Sequence, residues 1–123
     1  MVKKTLTPGR HSWRVIRDLG TNLTTLEVIN DDGTIYIPDI DIEMQRSAEE
    51  WYSYQGYDFN TLRGETIWNR GYRRGDWRVR TVTRTVLTSD PDFFHIHAEL
   101  DAFEGGHRIY SNNWNTSIKR DLV

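Results

Sequence analysis

Two imidazoles and two carboxylates recur at every second position in Phe-Phe-His-Ile-His-Ala-Glu-Leu-Asp-Ala-Phe, residues 93–103. His95, His97, Glu99 and Asp101 fall on one parity, and Phe94, Ile96, Ala98, Leu100 and Ala102 on the other. That alternation is what a half-buried strand requires, because successive side chains point to opposite faces of a sheet. Histidines two apart on a strand can share a metal ion, as in metal-binding β-barrels. Those sites space their glutamate several residues further on and add a distant third histidine. Only His11 and His107 remain here, neither in a recognisable motif. A solvent-facing polar strand explains the four residues better, and no metal is expected.

Three other groups invite a chemical reading. Asp39, Asp41 and Glu43 alternate with Ile40, Ile42 and Met44. Calcium loops place a glycine-containing turn between ligands rather than a regular strand, so a solvated strand face is expected. Arg70, Arg73, Arg74, Arg78, Arg80 and Arg84 are interleaved with Trp68, Tyr72 and Trp77, which are the residue types of a nucleic-acid surface. The acidic residues Glu99 and Asp101 lie on the next strand, however, and cross-strand pairing accounts for the same arginines without a ligand. Trp51, Tyr52, Tyr54, Tyr57 and Phe59, with Trp68, could line a small-molecule pocket, form core, or present a surface to another domain. No nucleophile elbow of the Gly-x-Ser-x-Gly type occurs, no serine pairs with a histidine and an acid in a recognised order, and no phosphate-binding glycine loop is found. No catalytic residue and no cofactor are expected.

The elements that must position these groups read as strands throughout. Residues 1–11 are polar, carry Pro8-Gly9, and read as a lead-in arm to a single β domain over 12–123. Ser12–Leu19 and Thr24–Asn30 are the first strands, with Asp31-Asp32-Gly33 predicted as a tight hairpin turn. Pro38 interrupts Ile35–Met44, so an edge strand, bend or bulge is expected there. Gly56 breaks the aromatic run, and Thr61–Tyr72 follows as a strand ending at the turn Arg73–Asp76. Trp77–Leu87 is dense in Val and Thr and is the most β-prone run. The histidine strand comes next, and a last strand ends near Asn113, leaving 115–123 as a tail. About seven strands joined by short loops make an antiparallel meander, which must curl closed or face another sheet to cover its apolar side. An all-β, barrel-like or jelly-roll-like sandwich is the expected architecture.

A chain of 123 residues is one domain, with a low hydrophobic fraction of 37% partly offset by five Trp, six Tyr and four Phe. A net charge of −2 offers no general reason to bind nucleic acid or an anionic membrane. The absence of cysteine excludes disulfides, thiol catalysis and thiolate-bound zinc. Lys3 and Lys4 precede no apolar run, and no stretch is apolar enough to span a membrane, so a cytoplasmic setting is expected.

Several motifs carry a resemblance. They are Arg10-His11-Ser12-Trp13-Arg14-Val15, Asp39-Ile40-Asp41, Arg63-Gly64-Glu65-Thr66, Arg74–Thr81, Phe94–Gly105 and the closing Trp114–Val123. From about Gly9 to Val123 the chain resembles the C-terminal region of the CocE/NonD hydrolases, the cocaine-esterase and X-Pro dipeptidyl-peptidase-like serine hydrolases. It departs from their pattern where Tyr57–Leu62 replaces an Asp-Asp-Pro-Leu-Ser-Ala-like turn, and at Lys119, where proline is usual. The resemblance implies a β-rich accessory domain, a jelly roll in the family, packed on an α/β-hydrolase domain that carries the catalytic triad. None of the triad falls in this segment, so the resemblance implies no enzyme activity here. A whole jelly roll would need a longer chain, which leaves an excised piece or a free-standing relative as the two expectations. The function expected is packing and interaction, as a homodimer or with a hydrolase catalytic domain, through the aromatics Trp51, Tyr52, Tyr54, Tyr57 and Phe59. The alternative is a free-standing, lipocalin-like barrel holding a small apolar ligand.

Overall fold

The computed structural model describes residues 2–123. Eight strands form one antiparallel sheet: β1 (Lys4–Thr7), β2 (Arg10–Asp18), β3 (Leu23–Ile37), β4 (Ile42–Gln55), β5 (Asp58–Arg74), β6 (Trp77–Ser89), β7 (Phe93–Glu104) and β8 (His107–Lys119). The spatial order is β1-β3-β4-β5-β6-β7-β8, with β2 also paired to β3. Each strand from β3 onward lies beside its sequence neighbours, so the all-β meander expected from the short loops is what forms. Gln55 opposes Asp58, Arg74 opposes Trp77 and Glu104 opposes His107, so each of these hairpins closes through a two-residue loop.

The sheet is not closed into a barrel. One edge is β8, and the other is made jointly by β1 and β2, which run one after the other along β3. Among the described residues no α-helix forms, and the single 3-10 turn, Pro38–Ile40, joins β3 to β4. Among the described residues no helix is long and apolar enough to cross a membrane.

Three boundaries differ from the sequence reading, each for a local reason, while the break expected at Pro38 forms. The segment expected as a polar arm contributes β1 and the start of β2. Asp31-Asp32-Gly33 is not a hairpin turn but a bulge within β3, which continues to Ile37. There Asp31 Oδ1 accepts the Gly33 N–H at 2.8 Å, and the register with β4 shifts between Asp31 and Thr34. Proline, with φ fixed and no N–H, turns the chain at Pro38–Ile40, later than the Asp-Gly pair would have. Finally, β8 runs to Lys119, because Asn115, Thr116, Ser117 and Ile118 continue the pairing with β7 that was expected to stop near Asn113.

Cross-strand register sorts the side chains onto two unlike faces. One row runs Val15, Leu26, Tyr52, Gly64, Leu87, Ile96 and Thr116 across β2 to β8. Two rows further along the strands lies Ala48, Trp68, Thr83, Leu100 and Asn112. This face also holds Trp13, Met44, Tyr72, Trp114 and Ile118. The opposite face carries Arg14, Glu27, Glu49, Glu65, Arg84, His95, His97 and Glu99. Amphipathic strands are ordinary in a sheet that packs one side against a second layer. Here no second layer exists among the described residues. Ile29, Ile37 and Ala48 are the only buried apolar side chains among them, and Trp13, Tyr52, Trp68, Tyr72, Leu87 and Trp114 are all exposed.

Candidate functional site: an uncovered apolar face

The strongest concave feature lies on the apolar face, toward the end of the sheet where β2 meets β3. It is a groove of about 670 Å3 whose walls come from Val15, Leu26, Tyr52, Leu62, Leu87 and Phe94. Six strands thus contribute to it. Gly64 creates part of the space: a Cβ there would come within 3.3 Å of Tyr52 Cδ1, so the missing side chain lets the tyrosine ring lie against β5. Burial raises the pKa of the Tyr52 hydroxyl, and the Glu50 carboxylate adds to the effect. The hydroxyl therefore stays protonated, with the Glu50 carboxylate as its neighbour.

The six aromatics singled out from the sequence do not share one surface. Tyr52, Tyr54 and Trp68 lie on the apolar face, and the first two line the groove. Trp51 points the other way, where its indole N–H donates to Glu27 Oε2 at 3.3 Å. Period-two alternation made that separation unavoidable for neighbours on a regular strand. Tyr57 stands at the β4–β5 loop and is 94% exposed, and Phe59, just beyond it, is exposed as well. Trp13, Tyr72, Leu87, Phe94 and Trp114 also belong to the apolar surface, and sequence reading did not join them to it. Their parity within each strand was readable, but joining parities across strands needs the register.

Most of the charged groups singled out from the sequence have partners within the sheet. Arg84 Nε donates to Glu65 Oε1 at 2.7 Å and reaches Glu99 only at 3.9 Å. Cross-strand pairing was expected with Glu99 and Asp101, but the principal partner lies on β5, on the other side of β6. Glu65 also accepts from Arg63 Nη1 at 3.0 Å, and its pKa is lowered, first by Arg84 and against the opposing effect of burial. Asp101 meets Arg108 at 3.6 Å. Arg73 pairs with Glu43, Arg74 Nη2 donates to the Ile40 carbonyl, and Arg80 and Arg70 sit over the rings of Phe103 and Trp68. Arg70 and Arg84 lie on opposite faces, so the six arginines form no single phosphate-binding surface. Asp39, Asp41 and Glu43 do not line a strand either. Asp39 lies in the 3-10 turn, Asp41 adopts φ 50° and accepts from the Tyr36 hydroxyl at 2.7 Å, and only Glu43 is on β4.

The histidine strand holds an arrangement that the sequence did not disclose. His95 Nδ1 lies 2.8 Å from Ser117 Oγ, and its Nε2 lies 2.7 Å from Asp90 Oδ2. A serine, an imidazole and a carboxylate in line invite comparison with a hydrolase triad. In such triads the acid orients Nδ1 and the serine meets Nε2, so the ring here is attached the other way round. Asp90 Oδ1 is occupied as well: it accepts the backbone N–H groups of Asp92 and Phe93 at 2.8 and 2.7 Å. His95 and these two amides hold the Asp90 carboxyl down at about 2. The group fastens the β6–β7 turn to β7 and β8. One strand step along, His97 Nδ1 lies 2.7 Å from Asn115 Oδ1 and its Nε2 2.8 Å from Glu99 Oε1. Two acceptors favour the imidazolium, and the His97 pKa is raised, with Glu99 the larger cause. Each histidine thus answers its own carboxylate, and among the described residues no cluster of three or more potential ligands could hold a metal ion.

No family model matches this sequence, and neither the curated proteins nor the solved structures give a match.

Proposed function

We propose that this chain is a non-catalytic β module that works by docking, with its apolar face as the contact surface. The observation that carries the reading is the face itself. It holds exposed Trp, Tyr, Leu and Val side chains on consecutive strands, with no layer of the described chain over them. An uncovered apolar surface of this extent marks an interaction site in a folded protein. Of the aromatics considered first, Tyr52, Tyr54 and Trp68 keep a place in the proposed surface, whereas Trp51, Tyr57 and Phe59 do not. The resemblance to the C-terminal region of CocE/NonD hydrolases supports the same reading, with a hydrolase domain as one candidate partner, and the cytoplasmic setting belongs to the proposal too.

A second reading rests on the groove. Its volume of about 670 Å3 suits a small apolar ligand. A low-molecular-weight species retained at the mass of a single chain in native mass spectrometry would favour it.

The test combines sedimentation velocity with binding of an apolar fluorescent dye. A docking face is either occupied, giving an associated species, or vacant, giving a monomer that binds the dye. A monomer that binds no dye would sink the reading.

A further inference from the structure

Resting on that reading, we infer that the layer completing the sheet is a second copy of the chain, packed face to face in an isologous dimer. Area gives the first argument. A folded monomer of 14.6 kDa exposes about 6,900 Å2 by the general relation between mass and surface. This chain exposes 8828 Å2. The excess of about 1,900 Å2 is what one subunit of an obligate homodimer buries, since such interfaces remove about 2,000–5,000 Å2 over both partners. Covering the face once, with a surface of equal size, brings the chain to the exposure of an ordinary globular protein.

Charge placement gives the second argument and sets the symmetry. The row Ala48, Trp68, Thr83 and Leu100 crosses the middle of the apolar face. Glu50 stands one row to one side of it, and Arg46 and Arg70 stand one row to the other. Glu50 has no basic side chain within ion-pair distance among the described residues. Arg70 meets no carboxylate among them and rests over the Trp68 ring at 5.4 Å, while Arg46 is held by Asp32 at 2.6 Å. A two-fold axis lying along the middle row exchanges the two flanking rows. Each Glu50 then faces the other copy's Arg46 and Arg70, twice over by symmetry. The same operation lays Trp68 of one copy on Trp68 of the other. It also sets Tyr72 against the partner's Tyr52 ring, which lies over Gly64. Facing sheets pack about 10 Å apart, a gap these side chains fill.

The experiment uses the whole chain and measures association by sedimentation velocity. The wild type is expected at twice 14.6 kDa. Glu50→Arg places like charges across the axis, and Arg70→Glu removes an attraction and adds a repulsion. Each alone is expected to weaken self-association by at least about tenfold. Mixing the two variants sets the arginine introduced in one copy against the glutamate introduced in the other, and it restores a dimer within about threefold of the wild type. Far-UV circular dichroism establishes that each variant is folded, and recovery on mixing cannot come from misfolded chains. A monomer up to roughly 100 μM that binds the apolar dye would overturn the dimer while leaving the docking reading in place. A dimer indifferent to both variants and to their mixing overturns the proposed face and axis. A ligand-loaded monomer does the same.

Discussion

Substituting alanine at three glycines separates two costs that meet where the first edge of the sheet is broken. Gly33 has φ 69°, in the left-handed region, and a Cβ there would collide with the Thr7 carbonyl oxygen and lie 2.9 Å from Pro8 C and O. Gly75 has φ 57° but open space around it, with nothing within 4 Å of the added carbon. Gly9 has no positive φ, yet its Cβ would stand 2.6 Å from the Asp31 carbonyl oxygen. Gly75→Ala therefore reports the backbone term alone, about 1–2 kcal/mol, less the few tenths that alanine recovers by stiffening the unfolded chain. Gly9→Ala reports the steric term alone, about 1–3 kcal/mol by analogy with forcing a methyl into a packed site. Gly33→Ala carries both, so it should cost about 2–5 kcal/mol. Urea unfolding at one fixed protein concentration measures all three, since association would otherwise shift the midpoint. Hydrogen exchange should also find β1 unprotected in the Gly33 and Gly9 variants and unchanged in the Gly75 variant. If Gly33→Ala and Gly75→Ala agree within about 0.5 kcal/mol, the close approach of Pro8 to the bulge does not constrain the sheet, and the steric argument fails.

The charged face supplies two further predictions. Glu65→Gln should destabilise the chain by about 0.5–1 kcal/mol, discounted because Arg84 is partly exposed, whereas Glu99→Gln at 3.9 Å should cost less; chemical denaturation that ranks them in reverse would show that Arg84 answers chiefly to β7. For Asp90, the folded carboxyl titrates at about 2 against an ordinary 3.8, so its contribution is complete above 3.8 and fades as pH falls toward 2. The difference in Tm between wild type and Asp90→Asn should accordingly shrink as pH falls from 3.8 toward 2, and a difference that persists at the acid end of that window, about 2, would refute the turn-locking role.

Much of the architecture was legible because the relevant signals are local. Alternation in β7, the Val and Thr density of β6, and the glycines at three loops each act within a few residues. The misplaced turn is instructive. Asp31-Asp32-Gly33 has turn chemistry, and it does supply a positive φ, but as a bulge. The strand resumes because Ile35 and Ile37 still pair with Met44 and Ile42, a gain that an early hairpin would forfeit. The docking surface was only partly legible. Treating Trp51 through Phe59 as one patch ignored the two-face rule that correctly parsed β7. Assembling Tyr52 with Leu87 and Phe94 depends on register over strands up to 42 residues apart, which no local pattern encodes. The Ser117–His95–Asp90 group was hidden for the same reason, since Ser117 and His95 are adjacent only through the β7–β8 ladder.

The two edges of the open sheet are unlike, and this limits how copies can add side by side. β8 offers 13 consecutive strand residues, bulged only at Ile109 near its start and bearing Ser111, Asn112, Asn113, Asn115 and Ser117. The far edge is cut at Pro8-Gly9 into pieces of four and nine residues, and proline has no N–H to offer a ladder. A newcomer that pairs its β8 with this one consumes both long edges and turns the two edges cut at Pro8-Gly9 outward. Fibrillar growth needs a template renewed at every addition. Growth by β8–β8 pairing consumes its template at the first step, so that pairing ends at two copies and does not propagate.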